Sequence, residues 1–242
     1  MKKYLLTLGL AALAIVAITG CENTSQAEKE AGVSRTSNGQ LQLSNQSKPL
    51  SISGSEADKV SGTNYVVIFD DSGSMENGSG SGRSKFTDAK KAMNVFFKSI
   101  NTEDTISIVS LNHGGVSGLA NSKKFLTNLQ SGGGTPLGES LRTAHRLIQQ
   151  KIVKNKGYGN YVVIALTDGD SSDRVTGALA ALFQDANADI IVKTIGFQVP
   201  DSNPLNSSYT QYFSASSGTD LTNALTSIQA ESTSFQDAST FK

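Results

Sequence analysis

Tyr65-Val66-Val67-Ile68-Phe69-Asp70-Asp71-Ser72-Gly73-Ser74 joins an unbroken apolar run to a cluster of carboxylates and hydroxyls. Five successive β-branched or aromatic residues, with no polar alternation, predict a strand buried on both faces, as in a parallel sheet covered by helices. Tyr161 to Leu166 repeats the design and ends in Thr167-Asp168-Gly169, and Ile190 to Phe197 is a third such run. Thr105 to Leu111 alternates more clearly and reads as a fourth strand, and Tyr212 to Ala215 as a fifth.

Between these runs the apolar period lengthens. Phe86, Ala89, Met93, Phe96, Phe97 and Ile100 recur at steps of three and four, so that one stripe of a helix faces the sheet. Leu137, Leu141, Ala144, Ile148 and Ile152 form a second stripe, with Thr135 placed to cap that helix and Pro136 at its first position. Thr176 to Asn187 and Thr219 to Gln229 are further helices. Strand and helix in alternation imply an α/β fold: a doubly wound, mostly parallel central sheet with helices on both faces, spanning residues 62–232, with 233–242 as a tail. Ligands of such sheets bind at the carboxyl ends of strands near the switch in strand order, where the aspartates lie.

Upstream the chain reads as an address and a tether. Lys2 and Lys3 precede an apolar run from Leu5 to Ile18 and the small residues Thr19 and Gly20, the layout of a secretory signal peptide over residues 1–20. The run is short for a span, which takes about 20 apolar residues. Ile18-Thr19-Gly20-Cys21 resembles the bacterial lipobox, which implies that Cys21 is diacylated and begins the mature chain, anchoring it in a membrane of the cell envelope. Residues 21–61, rich in Ser, Asn, Gln, Glu and Gly, are expected to be a flexible tether. Its roughly forty residues would reach about 35 Å. Brief alternation at Gln40 to Ser44 and Leu50 to Ile52 points to short strands lying on the domain.

Composition removes several kinds of chemistry. Cys21 is the only cysteine, so the domain holds no disulfide, thiol nucleophile or cysteine-based zinc cluster, and two histidines, His113 and His145, make no histidine-rich metal site. A metal site here is built from oxygen. Without Lys2 and Lys3 the chain has 19 basic and 21 acidic residues, which gives no electrostatic footprint for nucleic acid.

Three segments then carry the functional reading. Asp70-Asp71-Ser72-Gly73-Ser74 sets hydroxyls two and four residues beyond a carboxylate; alone, it could equally cap the following turn. Ser131-Gly132-Gly133-Gly134-Thr135-Pro136-Leu137 approaches a helix start, and Leu166-Thr167-Asp168-Gly169 ends a strand. Together, over roughly Asn64 to Glu231, they resemble the metal-ion-dependent adhesion site of von Willebrand factor A domains, whose pattern is Asp-x-Ser-x-Ser, a threonine in Gly-Gly-Thr-Pro, and an aspartate in Thr-Asp-Gly. The resemblance implies that Asp70, Ser72, Ser74, Thr135 and Asp168 hold a divalent cation, the hydroxyls directly and the aspartates often through water. Magnesium, which takes about six oxygen ligands at about 2.1 Å, suits that set; manganese and calcium are the alternatives. The remaining position implies a protein partner offering an acidic side chain. The chain is thus read as an adhesion or interaction protein and not an enzyme. Asp70→Ala or Ser72→Ala should remove the ion without disturbing the fold, as loop-rim positions. Thr135 either caps its helix or engages the ion, and can alternate between the two.

Rival readings are specific. A strand ending in Asp70-Asp71 resembles haloacid dehalogenase-type phosphohydrolases with Asp70 as nucleophile, but Ser72 stands where those enzymes place their acid/base aspartate. A purely structural envelope protein is the other alternative. Asp71 and Asp170 are expected to be solvated loop carboxylates, and His113 and His145 surface residues. Residues 76–83 read as a mobile rim or a long loop. Gln198 to Tyr209, with Pro200 and Pro204, is too irregular for the helix that relatives carry there, which leaves the covering of one sheet face open.

Overall fold

The computed structural model describes residues 33–35, 41–43, 51–54 and 62–238, with side chains over 51–54 and 62–232. The signal segment, Cys21, most of the tether and residues 239–242 lie outside the described residues. The strands are β1 (Val33–Arg35), β2 (Leu41–Leu43), β3 (Ile52–Ser53), β4 (Thr63–Phe69), β5 (Thr105–Ser110), β6 (Gly115–Ser117), β7 (Asn160–Thr167), β8 (Ile190–Phe197) and β9 (Gln211–Ala215). The helices are α1 (Lys85–Ser99), α2 (Leu119–Asn128), α3 (Leu137–Lys154), α4 (Thr176–Phe183) and α5 (Gly218–Ala238).

Seven strands form one sheet in the order β3-β6-β5-β4-β7-β8-β9, parallel throughout except where β6 turns back along β5. The chain moves outward from β4 to β5, then crosses to the other side of β4 to lay down β7, so the strand order reverses at β4. Side chains of β4 divide between two cores. Tyr65, Val67 and Phe69 pack with α1, α2 and α5 residues such as Phe96, Leu126 and Leu225. Val66 and Ile68 face Leu141, Ile148 and Leu179 of α3 and α4. Burial on both sides explains why these strands carry no polar alternation.

The fold departs from the expectation at the edges and ends. Helix α2 and strand β6 were not anticipated: α2 fully buries only Ser122 and Leu126, too sparse a stripe to stand out in sequence. Strand β3 falls at the Leu50 to Ile52 alternation expected to form a short strand on the domain, and it extends the sheet edge along β6. Strands β1 and β2 form a separate antiparallel ribbon whose backbone approaches α4. Helix α4 stops at Phe183, short of Asn187, because the Asp185 carboxylate accepts the Asn187 N–H and closes a local turn. Helix α5 runs past residue 232 to Ala238. Residues 198–209 form no helix, as their prolines predict, yet they cover the sheet face: Leu205 is fully buried against the α3/α4 core and its carbonyl accepts the Thr194 hydroxyl.

Candidate metal centre

Strands β4 and β7 are neighbours at the reversal of strand order, and their carboxyl ends deliver Asp70 and Asp168 side by side. The Asp70 N–H still donates to the Leu166 carbonyl at 3.1 Å, so this aspartate is held as rigidly as a strand residue. It is 0% exposed. One carboxylate oxygen accepts the Ser72 N–H at 2.8 Å, a local turn that starts the hydroxyl loop; the other accepts the Thr167 hydroxyl at 2.5 Å and the Asp168 N–H at 3.4 Å. A 3-10 turn follows over Gly73–Glu76, anchored by the fully buried Met75.

That turn brings the two serines together. Ser72 Oγ lies 3.0 Å from Ser74 Oγ, and Ser74 donates to Asp168 Oδ1 at 2.7 Å. Asp70, Ser72, Ser74 and Asp168 therefore form one continuous hydrogen-bonded chain. Ser74 is exposed, while the carboxylates lie beneath it. Thr135 comes from the glycine loop, which backbone bonds tie to the same spot: Gly73 N–H to the Gly133 carbonyl at 3.2 Å, and Gly132 N–H to the Asp71 carbonyl at 2.7 Å. Gly133 has φ of +87°, and a Cβ there would fall 2.5 Å from Asn112 Oδ1, so glycine is required on both counts.

Thr135 does not cap α3. Pro136 occupies the N-cap position, the helix starts at Leu137, and the N–H groups of Gly138 and Glu139, which have no acceptor within the helix, are taken at 2.7 and 2.8 Å by the Asp173 carboxylate, from the loop that follows Asp168. The Thr135 carbonyl accepts from the N–H groups of Leu137 and Ser172, and its half-buried hydroxyl makes no hydrogen bond among the described residues. Helix capping therefore makes no claim on that hydroxyl.

Several neighbours differ from their expected roles. Asp71 is buried, not solvated: it accepts from Ser110 Oγ, the Asn112 N–H and side chain, and pairs with His113 Nδ1 at 2.5 Å, while Asn112 Nδ2 also donates to the Gly134 carbonyl. It latches the loop after β5 to the glycine loop. His145 is buried, its Nε2 2.6 Å from Asp185. Residues 79–83 close over Asp88 of α1, which takes the Ser79 and Ser81 hydroxyls and the Arg83 guanidinium, so the rim is clamped to a helix. Asn203, in the irregular segment, donates to the Gly169 carbonyl beside Asp168.

Electrostatically the two carboxylates differ. Lys85 Nζ lies 2.9 Å from Asp168 Oδ2. Asp70 has no cationic partner among the described residues, and burial raises its carboxyl above the ordinary range despite the hydrogen bonds from Ser72 and Thr167 that pull it down. Hydroxyl and carboxylate oxygens with no nitrogen or sulfur among them fit a hard divalent cation, and a buried carboxylate without a counter-charge fits it further.

Comparison with known proteins accords with this architecture. Residues 65–171 match the family model of the von Willebrand factor type A domain. The matched residues lie within a mostly parallel seven-stranded sheet between helical layers, the same α/β fold as that of similar solved structures. Similar solved structures include a von Willebrand factor type A protein from Catenulispora acidiphila, at 18% identity and a TM-score of 0.57, over 71% of this chain and 42% of that one. The pilus adhesin SpaC from Lactobacillus rhamnosus GG is similar at 14% identity and 0.54, over 74% of this chain and 31% of that one. The PilB minor pilin from Streptococcus sanguinis is similar at 14% and 0.55, over 81% and 64%. This chain thus spans less than two thirds of each, and at these identities the likeness is one of fold. No curated protein matches the sequence.

Proposed function

We propose that this chain is a lipid-anchored protein of a bacterial cell envelope whose von Willebrand factor A domain binds a magnesium or manganese ion through Asp70, Ser72, Ser74, Thr135 and Asp168 and uses it to hold a protein partner by an acidic side chain. The observation that carries the reading is the single chain of hydrogen bonds linking Asp70, Ser72, Ser74 and Asp168 at the switch in strand order. When bound, the cation would supply an electrophilic position at the surface. Ser72, Ser74 and Thr135 would offer neutral oxygens, while Asp70 and Asp168 supply compensating charge from below. Anchoring rests on the lipobox-like segment ending at Cys21. That pilus proteins share the fold is consistent with adhesion.

A phosphohydrolase built on Asp70 is disfavoured, because both its carboxylate oxygens are engaged and the residue is fully buried, presenting no nucleophile. The same burial revises the choice of variant. Asp70→Ala would remove three hydrogen bonds from the interior and destabilise the fold, so the exposed Ser74 and the uncommitted Thr135 are the sounder positions to test. Ser74→Ala and Thr135→Ala should each weaken Mn2+ binding in calorimetry about tenfold or more, Thr135→Ala leaving the melting temperature nearly unchanged and Ser74→Ala lowering it modestly through the lost bond to Asp168. Wild-type affinity in both variants would remove the assignment. For the partner, pull-downs in magnesium, in chelator and with Thr135→Ala bait should differ, and equal recovery in all three rejects metal-dependent capture.

A further inference from the structure

Lys85 stands at the first position of α1, directly after the capping Ser84, where the helix dipole disfavours a cation. Its side chain is nonetheless only 12% exposed and reaches across 83 positions of sequence to a carboxylate oxygen of Asp168, which is itself 0% exposed. A charge set at the wrong end of a helix and drawn into a carboxylate pair has a consequence for anything bound there. Asp70 and Asp168 carry two negative charges and Lys85 one positive charge. A divalent ion added to them leaves the site with one unit of positive charge in a partly dehydrated setting, and one incoming carboxylate brings it to neutrality.

We propose that Lys85 couples the cation to the acidic ligand: it weakens the bare ion by repulsion and by competing for Asp168, and it sets the surplus positive charge that a carboxylate then cancels. This rests on the reading of the centre as a cation site. At separations of a few ångströms and an effective dielectric constant of about 20, one like charge changes a divalent ion's affinity by well over tenfold. Cation and carboxylate must then strengthen each other's binding by a common factor. A residue that served only to stabilise the loops would do neither.

The test is calorimetric titration of the full chain with Mn2+, in acetate and in an equal concentration of chloride, for wild type, Lys85→Met and Lys85→Arg. In chloride, Lys85→Met should bind Mn2+ about tenfold or more tightly than wild type, and Lys85→Arg should behave as wild type. Acetate should tighten Mn2+ binding to wild type more than to Lys85→Met. In chelator, Lys85→Met should melt at a lower temperature, since Asp168 loses its counter-charge; tighter metal binding by a less stable protein excludes general damage as the cause. If the Met variant folds only with metal, the Mn2+ midpoint of its refolding reads the same affinity. Equal Mn2+ affinity in wild type and Lys85→Met overturns the role of Lys85 and leaves the cation site standing. Absence of Mn2+ binding in both overturns the cation site as well.

Discussion

Asp185 shows how a side chain far from the metal centre sets the protein's response to acid. Burial would raise its carboxyl, but hydrogen bonds from His145, the Asn187 N–H and Gln149 outweigh burial and hold it at about 2. Because the folded value lies below the unfolded one, near 3.8, the stabilisation is fully present above about pH 4 and fades as pH falls toward 2. Urea unfolding of Asp185→Asn should show a deficit on the order of 1–2 kcal/mol at pH 6 that shrinks to nothing near pH 2. A deficit independent of pH would mean that the amide merely packs badly. Asp173 offers a second residue-scale prediction. Losing its carboxylate from the start of α3 in Asp173→Ala should cost about 1–2 kcal/mol, and Asp173→Asn, which keeps one acceptor, less. Both are read from denaturant midpoints. Neither residue's role is legible in sequence, since the helix start that Asp173 holds, at Gly138 and Glu139, and the His145 that pairs with Asp185 lie 34 to 40 positions away. The five candidate ligands were legible because each sits in a short motif at the end of a strand or the start of a helix.

Among elements, the contact between α3 and the loop after β7 is the tightest near the site. A Cβ at Gly138 would fall 2.1 Å from the Arg174 carbonyl oxygen, so Gly138→Ala must push apart the two elements that carry Thr135 and Asp168. Thermal unfolding should register a loss of about 1–3 kcal/mol, and Mn2+ affinity should fall with it. Gly78→Ala, in the rim loop with open space around it, should leave both unchanged and serves as the control. Helices α1 and α3 were readable from apolar steps of three and four, because each lays a full stripe on the sheet. Helix α2 escaped notice because it packs through few residues, whereas β3 was foreshadowed by the brief alternation at Leu50 to Ile52, though not its place along β6.

At the scale of the whole molecule, the proposed anchor makes a prediction that does not depend on the metal. Membrane fractions should contain the mature chain beginning at an acylated Cys21, and Cys21→Ser should leave it soluble or unprocessed. Mass spectrometry of the amino terminus decides this, and an unmodified chain starting elsewhere would reject it. The order of layers follows from sequence alone: uninterrupted apolar runs require burial on both faces, and alternating strands and helices supply it. So does the placing of the candidate ligands, since strand ends in such a sheet converge. Tertiary structure alone decided how the sheet edge is extended by β6 and β3, how Leu205 covers a face that lacks a helix, and that Asp173 leaves the Thr135 hydroxyl free of capping. It alone brought Lys85 against Asp168. Each of these depends on pairings across tens of residues between groups with no periodic signature, and such pairings form only once the sheet has brought the loops together.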